Sequence, residues 1–78
     1  MMTNCIPLTF LRPGEKGEIV EIRGGRGLVR RLYEMGFVPS AKVEILVSNA
    51  AGSLLVSING MRMAIGRGVA MKIIVRRR

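Results

Sequence analysis

The sequence predicts a mostly β protein, a small closed or half-closed barrel of five or six strands with one short α-helix inserted early. Apolar residues recur at every second position over most of the chain. Turns containing Gly or Pro interrupt them at short intervals, and one segment alone changes to helical spacing. The 78 residues suffice for one domain and contain no internal repeat, linker or low-complexity stretch. The expected divisions are a flexible N-terminus over 1–6, the barrel over 7–76 and a basic tail at 77–78.

Pro7 to Leu11 reads as the first strand, ended by the Pro13-Gly14 turn. Gly17 to Arg23 reads as the second, with Val20 and Ile22 alternating with Glu21 and Arg23. Gly24-Gly25-Arg26-Gly27 breaks it. From Leu28 to Met35, at about 100° per residue, Leu28, Leu32 and Met35 fall on one apolar stripe. Arg30 and Glu34 lie opposite, spaced for a weak surface ion pair. Gly36 stands where a left-handed cap ends a helix, and Pro39 prevents its resumption. Val43, Ile45 and Val47 then alternate with Lys42, Glu44 and Ser48, and Asn49 to Ser53 turns the chain. Leu54, Val56 and Ile58 form the next apolar face. Asn59-Gly60 follows, a strong hairpin signal because a type I′ turn needs positive φ at both positions. Met61, Met63 and Ile65 continue beyond it, Gly66-Arg67-Gly68 interrupts, and Met71, Ile73 and Val75 form the last strand. By the same periodicity Met35, Met61, Met63 and Met71 are expected to fill the core, together with Phe10 and Phe37.

Composition narrows the function. Hydrophobic residues make up 49% of the chain, yet there are only two Phe, one Tyr and no Trp, so Val, Ile, Leu and Met must build the interior. That content excludes intrinsic disorder. The single Cys5 excludes an internal disulfide framework. With no His, the commonest general base and metal ligand are missing, and an enzyme is not expected. The formal net charge is +8. All five acids precede Ile45, whereas Arg62, Arg67, Lys72, Arg76, Arg77 and Arg78 follow it without one. This asymmetry suits an acidic protein surface, nucleic acid or an anionic membrane face, or simply a solvated exterior.

No targeting segment is expected: Met1 to Leu11 lacks a basic lead-in and a small-residue cleavage site, and Pro7 breaks it. The longest uncharged run, Ile45 to Met61, contains Asn49, Gly52, Ser53, Asn59 and Gly60, a cluster no spanning helix would tolerate. The expectation is a cytoplasmic protein with one reduced, inert thiol.

The glycines of 24–27 precede a helix, as in phosphate-binding loops. No Lys-Ser/Thr pair follows them, however, and Arg30 occupies the third position of the dinucleotide pattern. A tight strand-to-helix turn explains them without a ligand. The inventory for a metal is one Cys and five Glu; Glu18 and Glu21 face opposite sides of a strand, so no protein-built metal or cofactor site is expected. Arg23, Arg26, Arg30 and Arg31 form the densest internal basic cluster, with Tyr33 beside them. They either grip an acidic partner or keep the helix face hydrated. Barrels that bind single-stranded nucleic acid pair basic grooves with stacking aromatics, which are scarce here. Arg76-Arg77-Arg78 either touches anionic lipid headgroups or forms a solvated end.

The order of these pieces resembles the FeoA-type domain of bacterial ferrous iron uptake. The likeness rests on Leu8, Leu11, Pro13-Gly14-Glu15-Lys16-Gly17-Glu18-Ile19 and Arg31-Leu32-Tyr33-Glu34-Met35-Gly36-Phe37-Val38-Pro39. It continues through Val43-Glu44-Ile45-Leu46, Val56-Ser57-Ile58-Asn59-Gly60, Ala70, Ile73 and Val75, spanning about Pro7 to Arg76. The segment Arg31 to Gly36, followed by Pro39, is its most specific part. Asn49 to Ser53 lacks the Gly-Asp-Pro loop common in that family, and Gly66-Arg67-Gly68-Val69 replaces its usual charged turn. The resemblance implies an SH3-like β-barrel. It also implies a small non-enzymatic cytoplasmic accessory, at the inner face of the plasma membrane, to a FeoB-type permease that carries its own GTPase domain. The same module ends some metal-dependent repressors, where it contacts protein. The family is classed under transition-metal binding; with so few ligands in this chain, Fe²⁺ is assigned to the transporter.

The expected docking face is therefore Arg23, Arg26, Arg30, Arg31 and Tyr33, turned toward acidic surface of the permease's cytoplasmic domain. The alternatives are a basic barrel contacting nucleic-acid phosphates and a regulatory protein-interaction module. Membrane contact is expected only through the partner or the basic tail.

Overall fold

The computed structural model describes residues 5–78. Its elements run β1 (Cys5–Pro7), a 3₁₀ turn (Leu8–Phe10), β2 (Lys16–Ile22), α1 (Arg26–Glu34), β3 (Lys42–Asn49), β4 (Ser53–Ile58), β5 (Met61–Gly66), α2 (Arg67–Ala70) and β6 (Ile73–Arg77). One antiparallel sheet takes all six strands in the order β1-β6-β2-β3-β4-β5. The mostly β barrel with a helix inserted early is what the alternation predicts.

Two bulges curl this sheet. In β2 the pairing with β6 passes from Ile19↔Val75 to Glu21↔Ile74, leaving Val20 as the extra residue. In β3 the pairing with β4 passes from Ile45↔Val56 to Val47↔Leu55, leaving Leu46 extra. A bulge bends the strand and exchanges the faces of everything beyond it. Hence Ile22, rather than Glu21, returns to the inner face beside buried Ile19, and Val47 is exposed although it continues the Val43–Ile45 alternation. The core gathers Leu8, Leu11, Ile19, Leu32, Phe37, Val43, Ile45, Leu54, Val56, Ile58, Ile65, Ala70, Ile73 and Val75. It contains no buried polar or charged residue among those described.

The first strand lies earlier than the expected Pro7 to Leu11, with which it shares only Pro7. Pro7 has no N–H to continue the ladder, and the chain tightens into the 3₁₀ turn closed by Leu11 N–H to Leu8 O at 3.1 Å. Residues three apart share a face in such a turn, so Leu8 and Leu11 are both buried while Phe10, expected in the core, is 59% exposed. Met35, Met61 and Met71 are likewise exposed rather than core-filling: Met35 is the C-terminal cap residue of α1, Met61 flanks the hairpin turn, and Met71 follows α2 instead of lying in β6. Met71 Sδ accepts a hydrogen bond from Thr9 Oγ1 at 3.0 Å. Met63 and Phe37 pack as expected. Asn59 and Gly60 take φ of 53° and 79°, the values a type I′ turn requires.

The chain ends also depart from expectation. Cys5 and Ile6, placed in the flexible lead, pair with Arg76 and Val75. Arg77, placed in the basic tail, closes β6, and the Arg78 amide donates to Lys16 O at 3.0 Å. No helix among the described residues is long and apolar enough to cross a membrane.

Candidate partner-docking surface

The helix α1 begins abruptly. Its N-cap is Gly25, which has no side chain to satisfy the first amides, and no acid lies in its first turn. Arg26 occupies the first helical position, where the positive end of the helix dipole disfavours a cation. This end is not built for stability. The other end is. Gly36 takes a φ of 101°, its amide donates to Tyr33 O at 3.0 Å, and the Phe37 amide donates to Leu32 O at 2.9 Å. These are the two bonds of a Schellman cap, accompanied by buried Leu32 and Phe37. The cap anchors α1 to the barrel through its C-terminal turn.

At about 100° per residue, Arg26, Arg30 and Tyr33 fall on one outer face of α1, opposite Leu28, Leu32 and Met35. All three are exposed, Tyr33 at 42%. Arg31 lies roughly 100° round from Arg30, on the flank that borders the apolar stripe. Arg26, Arg30 and Arg31 make no ion pair with any acid among the described residues, and the expected Arg30–Glu34 pair does not form. Arg23 separates from the set: its Nε donates to Glu21 Oε2 at 2.9 Å. The expected five-residue face thus resolves into an outer Arg26/Arg30/Tyr33 surface, a flanking Arg31, and an Arg23 already paired on the sheet.

The C-terminal arginines are similarly engaged. Arg78 and Arg76 lie 3.1 and 3.9 Å from Glu18 Oε1, and Arg77 lies 3.7 Å from Glu15 Oε2. Glu15, Glu18 and Glu21 therefore face guanidinium groups. No three His, Cys, Asp or Glu side chains cluster to hold an ion among the described residues.

Beside Arg31 an open groove of about 220 Å³ runs between α1, β5 and α2. Leu28, Leu32 and Met35 form its helical wall, Ala64, Ile65 and Gly66 its strand wall, and Val69 of α2 its end. Arg31 is its only charged lining residue. Sequence reasoning did not find this groove, because Ala64 and Gly66 carry no chemistry of their own. The sole signal was the replacement of the larger alternating residues by Ala and Gly toward the end of β5. A second cleft, lined by Lys16, Lys42, Val43, Glu44, Ser57, Asn59 and Gly60, mixes both charges and has no comparable apolar wall.

A six-stranded antiparallel sheet with an inserted basic helix and an apolar groove beside it defines a small β-barrel domain. The chain belongs to the FeoA domain family, whose family model matches residues 6–77. A Methanocaldococcus jannaschii protein named for Fe(2+) transport, protein A, is 39% identical over 69 residues, 88% of this chain and 83% of that protein. The crystal structure of an iron uptake regulatory protein (FeoA) superposes with a TM-score of 0.90 at 38% identity, covering 95% of this chain and 99% of that one. Stenotrophomonas maltophilia FeoA complexed with zinc, described as a prokaryotic SH3 domain protein, shares the fold. Its TM-score is 0.76 at 24% identity over 96% of this chain and 89% of that one. The SH3-like barrel implied by the sequence resemblance is the fold observed.

Proposed function

We propose that this chain is a non-enzymatic accessory of ferrous iron uptake. In this reading it docks in the cytoplasm, through α1, onto acidic surface of the GTPase-bearing part of a FeoB-type permease. Membership of the FeoA family and the names of its relatives support the iron-transport setting. The observation that carries the docking face is the placement of Arg26 and Arg30. Arg26 is exposed at a helix end that a cation destabilises, Arg30 is exposed one turn further along the same face, and no acid among the described residues pairs with either. A sequence that gives up local stability at such a position retains the residue for contact outside the chain.

In this role the arginines steer encounter and select the partner, while Tyr33 and the neighbouring apolar groove supply affinity. Fe²⁺ is the transporter's cargo, and this chain acts on the transporter. The test is binding of the full chain to the permease's soluble cytoplasmic domain by biolayer interferometry at two ionic strengths. Arg26→Glu/Arg30→Glu should slow association by on the order of ten-fold at low salt and flatten the salt dependence. Unchanged association and salt dependence would overturn the reading.

A further inference from the structure

β5 is an edge of the sheet, paired with β4 on one side only. Its phase can be read from two places. The Asn59-Gly60 turn joins Ile58 to Met61 in a two-residue hairpin, whose flanking pair exchanges hydrogen bonds. At the far end the Arg67 amide donates to Gly52 O at 3.1 Å, which places Gly52 and Arg67 on the same alternate set. The intervening positions Arg62, Ala64 and Gly66 therefore turn their backbone groups away from β4. The Ala64 N–H and C=O and the Gly66 N–H have no hydrogen-bond partner among the described residues. Ala64 and Gly66 are also two of the three β5 residues that line the groove beside α1.

An unpaired edge next to an apolar groove with one cation on its rim is suited to one kind of occupant. We infer that β5 accepts an extended segment of a partner protein as a seventh strand. The segment places an apolar side chain against Leu28, Leu32 and Met35 and an acidic side chain on Arg31. Main-chain bonds to Ala64 and Gly66 supply affinity, and the side chains supply selection. Charge decides against a second copy of this chain. Each copy carries +8, no acid occurs after Glu44, and edge-to-edge pairing would bring Arg62 and Arg31 of two like-charged surfaces together. Arg62 on the edge and α2 at its end limit self-pairing while leaving the central positions open to an acidic strand. The inference deepens the docking reading above and rests on it for the existence of a protein partner.

The probe is a labelled eight-residue peptide alternating Glu with Leu or Val, and the same peptide with alternate backbone amides N-methylated. Binding to the full chain is followed by fluorescence anisotropy, and Ala64 and Gly66 are followed by amide hydrogen exchange. Saturable binding that slows exchange at both amides, and that N-methylation in one register abolishes, is the expected result. Ala64→Pro removes an outward N–H without touching the β4 ladder, a position where an edge strand tolerates Pro. It should weaken the peptide roughly ten-fold. Arg31→Ala should do the same for the Glu peptide and not for one with Gln in place of Glu. No binding, or binding that leaves both amides unprotected and survives N-methylation, overturns the inference. Permease binding lost in Arg26→Glu/Arg30→Glu but intact in Ala64→Pro would keep the helix-docking reading and reject strand addition. Intact binding in both would reject the two together.

Discussion

Gly17 of β2 lies directly against Val75 of β6. A Cβ built at Gly17 would sit 3.1 Å from Val75 Cβ and Cγ2 and 3.2 Å from Leu11 Cδ1. The two central strands and the buried end of the 3₁₀ turn thus converge on a position that holds no side chain. Gly17→Val overfills this point and should cost about 2 kcal/mol of stability, measured as a lower urea midpoint with an unchanged slope.

The cap of α1 gives a second expectation. Gly36 combines a φ of 101° with a would-be Cβ 3.0 Å from Asn59 Nδ2. Gly36→Ala should lose about 1.5 kcal/mol, mostly as backbone strain. Exchange of the Gly36 and Phe37 amides, which make the two capping bonds, should accelerate more than exchange in β4.

Stability and docking should move in opposite directions at Arg26. Replacing it by Glu puts an anion at the positive end of α1 and removes a misplaced cation. Arg26→Glu should therefore raise stability by about 0.5 kcal/mol at low salt, read from chemical denaturation, while weakening association with the permease domain. A loss of both together would show that Arg26 holds the fold.

The arginine pairs of the C-terminus should matter little to stability. The Arg76 and Arg78 side chains remain about half exposed beside Glu18. Glu18→Gln should change the unfolding free energy by less than about 1 kcal/mol, and the difference should shrink further in high salt.

The parts of the fold legible in the sequence are those set by neighbours a few residues away. Asn59-Gly60 specifies its hairpin through positive φ, and Gly36 with Pro39 specifies the end of α1. Alternation located β3, β4 and β5, but it assumes an unbroken pleat and so cannot register the extra residues Val20 and Leu46. Those bulges decide why Ile22 rather than Glu21 turns inward after Ile19 and why Val47 does not. Phe10 misleads because apolar character does not encode direction once the chain tightens into a 3₁₀ turn.

The proposed docking surface was legible as charge and not as geometry. Spacing brought out the arginines of α1, but Arg23 is drawn off by Glu21, a contact set by the sheet. The groove and the free β5 edge arise from the meeting of three elements distant in sequence, and Ala64 and Gly66 contribute backbone alone.

The position of β6 between β1 and β2 has a consequence for how the molecule is made. Its residues, Ile73–Arg77, are synthesised after every other strand and occupy a central place in the sheet. Until Arg77 clears the ribosome, β1 has no neighbour and β2 is open along one side, whereas the β3-β4-β5 meander already has all its partners. The barrel therefore cannot close until β6, the last of its six strands in chain order, slots between the first two.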